Sequence, residues 1–291
     1  MEELVTDGEN SGKNKFGADK APTKVKLRLD VKDVVSKRAP KDDERTADDG
    51  APVILFEDNH LLVAVKPHNV PSQADSSGDP DMLTLLKDYL VKKYDKKGEA
   101  YLGLVHRLDR PTGGVMVFAK TSKAAARLCE KIRDGGDEFE KTYLAVTSGR
   151  PNRTGRVEHY LVKDEQTNSV ALAPSTLDGA KKAQSDISVV DGKNGLSLVS
   201  VKLITGRTHQ ARVQLKALGA PIVGDYRYAK DKLVKSPHLA LWAYRLVLTH
   251  PVSGDRMTFM ALPPQEFPWT EFDTAPLADI VRPAPHGYYK N

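Results

Sequence analysis

The sequence predicts an α+β domain in which strands outnumber helices. Apolar runs typical of strands occur through most of the chain, and three segments show the apolar spacing of a helix. Strands and helices mix without a regular strand–helix–strand alternation. This order favours an α+β domain over a doubly wound parallel sheet.

The first predicted elements are a hairpin and two helices. Residues 53–67 are typical of a strand, an Asn-containing turn and a second strand. Asp79 followed by Pro80 predicts a helix start, and apolar spacing continues this helix to about residue 94. A second helix is expected over residues 122–134, where two glycines follow.

The second half of the chain is predicted to be mainly strands. Both faces of residues 196–204 carry apolar side chains, as expected for a sheet covered on two sides. One helix is expected over Thr208–Leu218, ended by Gly219. The predicted strands are Thr142–Val146, Ala183–Val190, Leu196–Ile204, Leu239–Leu248 and Met257–Ala261.

Length and composition limit the classes of protein. The 291 residues carry a net charge of +5, which suits a polyanionic partner, although many unrelated proteins are equally basic. Cys129 is the single cysteine, which excludes internal disulfides and a cysteine-built zinc site. We expect it to be a small core residue in a protein of the reducing cytoplasm. No apolar run reaches membrane-spanning length, and the acidic start lacks the features of a secretion signal.

The chain is predicted to hold one folded domain with an extension at each end. Residues 1–50 are charged and interrupted by Gly, Asn and Pro, so we expect a disordered or weakly ordered extension. They show no helical apolar periodicity, and a small helical module is therefore not expected there. The domain is assigned to residues 51–270, and residues 271–291 form a C-terminal tail.

A charged loop between two predicted strand ends contains the main candidate for a reactive group. Leu104-Val105 and Val115–Ala119 flank the loop, and Asp109 lies in it between Arg107 and Arg110. Nearby positive charge favours the ionised form of a carboxyl group. Asp109 is therefore a candidate nucleophile, with an ordinary salt bridge as the alternative.

Four segments of the chain carry motifs of one known family. His106–Gly114 is similar to the loop His-Arg-Leu-Asp-x-x-Thr-x-Gly, and Phe139–Val146 resembles a Lys-x-Tyr-x-Ala-x-Val strand. Thr205–Arg212 resembles Thr-Gly-Arg-x-His-Gln-x-Arg, and Leu239–Gly254 resembles the strand pair Leu-His-Ala…His-Pro-x-x-Gly. Together the four segments resemble the RluA-type pseudouridine synthases, which isomerise uridine in structured RNA and whose catalytic loop carries the first motif.

The resemblance implies a long, mixed, mainly antiparallel sheet with flanking helices and a central basic cleft. It makes Asp109 the essential catalytic residue and Tyr143 the ring that stacks on the flipped base. It makes Arg207 the cation that pairs with Asp109, with Arg212 as the second candidate. His209 lacks companion ligands at metal-site spacing and is taken as structural.

The resemblance also implies the partners. Arg107 is expected to enter the RNA duplex as the uridine leaves it. The other residues expected to contact RNA are His106, Arg110, Lys141 and Arg212. The reaction is an isomerisation, so no metal or redox cofactor is expected. The implied protein is a monomer that acts on ribosomal or transfer RNA.

Two positions depart from the family pattern, and two other functions remain open. Gly113 replaces the usual Ser or Thr of the loop, and Trp242 replaces the usual His. The first alternative function is a catalytically silent RNA-binding or ribosome-assembly factor on the same fold. The second is a glycoside hydrolase, which normally needs two carboxylates. Only Asp225 and Glu140 are candidates for the second carboxylate.

Overall fold

A computed structural model of the chain describes residues 52–274 and Leu277. Its strands and helices alternate irregularly along the chain, as expected for an α+β fold. The helices are α1 (Met82–Lys93), α2 (Ser122–Asp134) and α3 (Gln210–Ala217). The strands are β1 (Val53–Glu57), β2 (Leu61–Lys66), β3 (Gly103–Leu104), β4 (Gly113–Ala119), β5 (Phe139–Ser148), β6 (Gly155–Asp164), β7 (Ser169–Leu172), β8 (Lys181–Lys193), β9 (Leu196–Leu203), β10 (Leu241–Thr249) and β11 (Arg256–Met260).

The described strands form one 11-stranded sheet that is mixed and mainly antiparallel, as predicted. Its order is β1-β2-β4-β10-β5-β9-β8-β6-β7, with β11 beside β10 and β3 beside β4. Among the described strand pairs, β10 and β4 alone run parallel, and they pair over two positions. Trp242 lies opposite Gly113, and Ala243 lies opposite Gly114. We call these four residues the seam, because they join β1–β4 to the rest of the sheet.

Strand β4 is buried along its whole length because helices cover both of its faces. Met116 and Phe118 belong to the core cluster that contains the apolar side chains of α1. Val115 and Val117 belong to the cluster that contains those of α2. Full burial of a side chain such as Phe118 contributes about 1.5–3 kcal/mol. The double covering fixes β4 and the end of the charged loop that precedes it.

The predicted start of α1 is wrong, whereas the bounds of α2 are confirmed. The N-cap of α1 is Asp81, whose carboxylate accepts the N–H of Thr84 at 3.2 Å. Asp79 instead forms an ion pair with Arg110 of the charged loop. Helix α2 begins at Ser122 and is capped by the side chain of Thr121. The error arose because both Asp79 and Asp81 are good caps, and the choice between them depends on a distant arginine.

Two further predictions differ from the structure. Strands β6 and β7 were not predicted, because β6 is rich in charged residues and β7 has only four residues, and both lie near one edge of the sheet. Cys129 is exposed on α2 and is not a core residue. The buried positions of this helix are Ala124 and Leu128, and the next residue points about 100° away from Leu128.

The predicted extension at residues 1–50 and most of the predicted tail at 271–291 lie outside the described residues. Within the described part of the chain, no helix is long and apolar enough to cross a membrane.

Candidate active site

The segment 105–112 between β3 and β4, called the acid loop below, is anchored from beneath by a buried lysine. Lys66 is fully buried at the end of β2. Its Nζ donates to the carbonyl oxygens of Pro67, Val70 and Arg110 at 3.0, 2.5 and 2.9 Å. Three acceptors match the three N–H groups of an ammonium. Burial lowers the pKa of Lys66 to about 7, although the negative charge of Asp109 opposes this shift.

Two further side chains fix the backbone of the acid loop. Ser72 Oγ donates to the carbonyl of Leu108 at 2.8 Å and accepts its N–H at 3.1 Å. His68 Nδ1 donates to the carbonyl of Pro111 at 2.8 Å. The loop is therefore held on both sides of Asp109, so the carboxylate extends from a rigid backbone.

The Asp109 carboxylate lies in the cleft with nearby positive charge but without hydrogen-bonded partners. Its side chain is 27% exposed. Its Oδ2 lies 3.7 Å from Arg212 Nη1 and 3.8 Å from His209 Nε2. Among the described residues no donor is hydrogen-bonded to either carboxylate oxygen. The group therefore keeps its acceptor capacity for a substrate.

Arg212 is held in place by a second, buried carboxylate. Its Nε and Nη2 donate to the two oxygens of Asp225 at 2.9 and 2.8 Å. The side chains of Arg212 and Asp225 are only 6% and 1% exposed. Asp225 also accepts the backbone N–H of Tyr228 at 3.0 Å. A bidentate pair of this kind fixes the plane of the guanidinium. The remaining Nη1 is thereby directed toward Asp109.

The prediction that Arg207 pairs with Asp109 is wrong, and Arg212 occupies that place. Arg207 is exposed, and its Nε donates to the carbonyl of Lys182 at 3.0 Å. Helix α3 begins later than predicted because His209 adopts a left-handed conformation, with φ 52°. The helix therefore carries Arg212 toward the acid, while Arg207 remains in the turn that precedes it.

Tyr143 and Lys141 lie on the cleft wall formed by β5. Residues two apart on a strand share one face. Burial, together with the charge of Asp109, raises the pKa of Tyr143, which keeps the phenol neutral. Burial lowers the pKa of Lys141. The structure thus brings Tyr143 and Lys141 to the same cavity as Asp109.

The residues predicted to contact RNA differ in exposure and in how many partners they already have. Arg107 is exposed, and its side chain has no hydrogen bond or ion pair within the described part of the chain. Arg110 is 40% exposed and pairs with Asp79 and with Asp75, the latter at 3.5 Å.

His106 does not fit the predicted contact with RNA. Its Nε2 accepts the backbone N–H of Val117 at 3.1 Å, and burial lowers its pKa to about 3. A neutral, enclosed imidazole cannot pair with a phosphate. The contact with Val117 instead anchors the start of the acid loop to β4.

The cleft around Asp109 has a volume of about 1210 Å³. Lysine and arginine outnumber aspartate and glutamate about two to one among its lining residues, so a polyanion is attracted to it. No cluster of three potential metal ligands occurs among the residues that the structure describes.

Neither candidate for a second reactive carboxylate is available. Asp225 is buried and bound by Arg212. Glu140 is surrounded by Lys202 at 2.8 Å, Arg256 at 2.5 Å and Arg245 at 3.8 Å. This arrangement does not fit a glycosidase with two cooperating carboxylates.

Gly113 and Trp242, the two positions that depart from the family pattern, lie in contact with each other. They face each other in the seam. A Cβ atom at position 113 would overlap with the Trp242 ring and would come within 3.1 Å of the Lys66 carbonyl. The Trp242 ring thus occupies the space that a side chain at position 113 would need.

Sequence reasoning missed the groups that support the acid. Lys66 interrupts an otherwise apolar strand just before Pro67, and this was the available signal for a buried cation. Ser72 gave no sequence signal. Asp225 was considered only as a candidate second carboxylate, although it follows the motif that contains Arg212.

The fold and the similarity of whole chains define the class of protein. The solved structure of the human protein RNA Pseudouridylate Synthase Domain Containing 4 superposes on this chain with a TM-score of 0.61. The two sequences are 26% identical, and the match covers 73% of this chain and 89% of the human one. The fold is therefore that of a pseudouridine synthase. The model of the RNA pseudouridylate synthase family matches residues 60–217.

Curated relatives confirm this assignment. The dual-specificity RNA pseudouridine synthase RluA of Salmonella typhi is 36% identical over 213 residues, covering 71% of this chain and 91% of the relative. The ribosomal large subunit pseudouridine synthase D of Zymomonas mobilis is 32% identical over 73% of this chain and 69% of the relative. The chain belongs to the RNA pseudouridylate synthase family, which isomerises uridine in RNA to pseudouridine.

Proposed function

We propose that the protein converts specific uridines of structured ribosomal or transfer RNA to pseudouridine, with Asp109 as the catalytic carboxylate. The observation that carries this proposal is the state of Asp109. It is partly exposed in a large cleft, it is not hydrogen-bonded by the described residues, and Arg212 Nη1 lies 3.7 Å from it. A carboxylate in this state is ready to act on a substrate.

The reaction breaks the bond from N1 to the sugar, turns the detached base and rejoins it through C5. N1 gains a proton and C5 loses one, so the net change is an isomerisation. Asp109 attacks the sugar or the base and leaves again at the end of the cycle. Arg212 Nη1 lies 3.7 Å from the carboxylate and positions it, while the buried carboxylate of Asp225 holds Arg212 in place. In this assignment Arg212 takes the role first given to Arg207.

The target uridine must leave its stack to reach Asp109, which costs about a few kcal/mol. We propose that Tyr143 stacks on the flipped base, a contact that contributes about 1–3 kcal/mol. Arg107, which has no partner in the described part of the chain, fills the gap in the duplex. The exposed Arg207 and the cleft residue Lys141 contact the RNA backbone. The proposal further takes the protein to act as a monomer in the cytoplasm.

The test uses uridine-labelled RNA from cells that lack the gene. The wild-type protein is expected to form pseudouridine, and D109N is expected to abolish its formation while RNA binding persists. Asp137→Asn is the matched control, because Asp137 is an exposed carboxylate in the same cleft. It removes the same charge and should keep the wild-type rate.

Two outcomes would contradict the proposal. If D109N forms pseudouridine at the wild-type rate, the catalytic assignment is wrong. If the wild-type protein binds this RNA without changing its pseudouridine content, the proposed target is wrong and an RNA-binding factor is the better description.

A further inference from the structure

A chain of polar contacts connects the outer strand β7 with the catalytic acid. The N–H of Val170 donates to the hydroxyl oxygen of Tyr228 at 2.9 Å. The same hydroxyl lies 2.6 Å from His209 Nδ1. On the other side of the imidazole, Nε2 lies 3.8 Å from Asp109 Oδ2. His209 therefore bridges a buried tyrosine and the catalytic carboxylate.

The direction of these contacts determines where the imidazole carries its hydrogen. A phenol has one hydrogen to donate, and the oxygen of Tyr228 already accepts the N–H of Val170. Among the described residues, His209 Nδ1 is the acceptor within hydrogen-bond distance of this hydroxyl. The hydroxyl can donate its one hydrogen to Nδ1, and in that tautomer the neutral imidazole carries its own hydrogen at Nε2. That N–H faces Asp109.

Tyr228 is itself fixed, so the direction of its hydroxyl is stable. It is 7% exposed, and the Arg212 guanidinium lies over its ring at 4.9 Å from the centroid. The ring also packs edge-on against His209, with centroids 5.5 Å apart. The left-handed backbone of His209 turns its side chain into this position.

We propose that His209 is a positioning residue for Asp109, kept neutral by Tyr228 so that it offers an N–H and no charge to the carboxylate. This inference rests on the role of Asp109 proposed above. Together with Arg212, His209 holds Oδ2 and leaves Oδ1 free for the uridine. Catalytic hydrogen bonds are often long without substrate and shorten in the complex, and the 3.8 Å separation fits that behaviour.

A neutral imidazole matters because a second cation beside Arg212 would hold the carboxylate too strongly. Burial lowers the pKa of His209, and the charge of Asp109 opposes this shift less strongly. The hydrogen bond from Tyr228 adds to burial, because it can form only with an unprotonated Nδ1. The titratable and charged groups that face His209 are Asp109, Arg212, Asp225, Arg227 and Tyr228.

The first test is Y228F, assayed by single-turnover pseudouridine formation between about pH 5 and 8. Loss of the hydroxyl leaves Nδ1 free to take a proton. We expect kcat at neutral pH to fall on the order of tenfold, with KM for RNA unchanged. The acid limb of the kcat profile should move upward by about one pH unit. Tyr226→Phe is the matched control, because its hydroxyl donates to the carbonyl of Ser236, outside this chain of contacts.

The second test compares two substitutions at position 209. His209→Gln keeps a neutral N–H donor and cannot be protonated, whereas His209→Ala has no donor, and both face the same left-handed backbone. Gln is expected to retain several times the kcat of Ala, and neither variant should show the acid limb assigned to the imidazole.

The outcomes separate this inference from the proposed function. If D109N is inactive but Y228F keeps the wild-type profile, the role of His209 is wrong and that of Asp109 stands. If Y228F lowers kcat without moving the acid limb, Tyr228 is structural and the inference is overturned. If D109N is active, the assignment of Asp109 fails, and the inference fails with it.

Discussion

Two acidic side chains of this protein, Glu57 and Asp109, lie near cations, but only Glu57 is hydrogen-bonded to them within the described part of the chain. Glu57 on β1 is 6% exposed and accepts hydrogen bonds from Lys93 and Lys120, both at 2.7 Å, and from two tyrosine hydroxyls. Asp109 is 27% exposed, and its nearest cationic atom is 3.7 Å away on Arg212. The acceptor sites of Glu57 are filled, whereas no described residue donates a hydrogen bond to the carboxylate of Asp109.

The difference separates a carboxylate that stabilises the fold from the one that we propose reacts with uridine. Burial raises the pKa of Glu57, but hydrogen bonds from Lys120, Lys93 and the tyrosines outweigh it and lower the pKa to about 2. Such a group is a poor nucleophile because its lone pairs are occupied. At Asp109 the positive charge is supplied without a direct hydrogen bond, since Asp225 takes the other donors of Arg212.

The largest effect is expected when the cation beside Asp109 is removed. Arg212→Met leaves the buried carboxylate of Asp225 unpaired, which should lower the free energy of unfolding by about 3–5 kcal/mol. Pseudouridine formation per folded molecule should fall on the order of a hundredfold, because Asp109 loses its positioning. Urea denaturation and single-turnover kinetics measure the two effects.

Arg207→Met is the control for that substitution. Arg207 is exposed and bound to a backbone carbonyl, so its loss should change stability by less than about 0.5 kcal/mol. Its effect on activity should be much smaller than that of Arg212→Met. Equal losses of activity in the two variants would contradict the structure of the site.

The next largest effect concerns Glu57. Because its pKa is depressed in the folded state, its contribution to stability is present above its ordinary pKa of 4.5 and is lost as pH falls toward 2. Glu57→Gln should therefore lower the free energy of unfolding at neutral pH by up to about 3 kcal/mol, and by much less near pH 2. The rate per folded molecule should stay at the wild-type value, and a loss of that rate would erase the contrast with Asp109.

A smaller effect tests the rigid backbone behind the acid loop. Gly113→Ala should lower stability by about 1–3 kcal/mol, because its Cβ overlaps with the Trp242 ring. Adding Trp242→His provides space, so the double variant should be less destabilised than the sum of the two single variants. Denaturation of all four proteins in a double-mutant cycle measures the coupling. Additive effects would show that the two positions are independent.

The smallest expected effect concerns two arginines of the acid loop. The side chain of Arg107 has no partner in the described part of the chain, whereas that of Arg110 pairs with two aspartates. Arg107→Ala should reduce the slope of log affinity against log salt by about 1, as expected for a lost phosphate contact. Arg110→Ala should reduce it less, because Asp75 and Asp79 already neutralise that guanidinium. Thermal unfolding midpoints should not move in either variant. An equal change in slope would show that the aspartates leave Arg110 when RNA binds.

The sequence was sufficient to predict the sheet, α2 and the position of Asp109 and Tyr143 in one cleft. These features depend on local pattern and motif spacing. It could not decide between Arg207 and Arg212. That choice depends on the left-handed conformation of His209. A histidine, unlike Gly or Asn, does not indicate such a conformation in the sequence. The role of Lys66 depends on three carbonyls brought together by distant segments, which no local pattern records.

The seam has a consequence for how the enzyme is assembled. Strands β1–β4 come from one continuous stretch of chain and β5–β11 from the next, so each side of the sheet can pair its own strands early. Asp109 belongs to the first stretch, whereas Tyr143, His209 and Arg212 belong to the second. Contacts between distant parts of a chain form late, because closing a long loop is entropically unfavourable. Asp109 therefore meets Arg212 only when the two stretches dock, and we expect a nascent chain whose β10 has not yet paired with β4 to hold the acid and the cation apart.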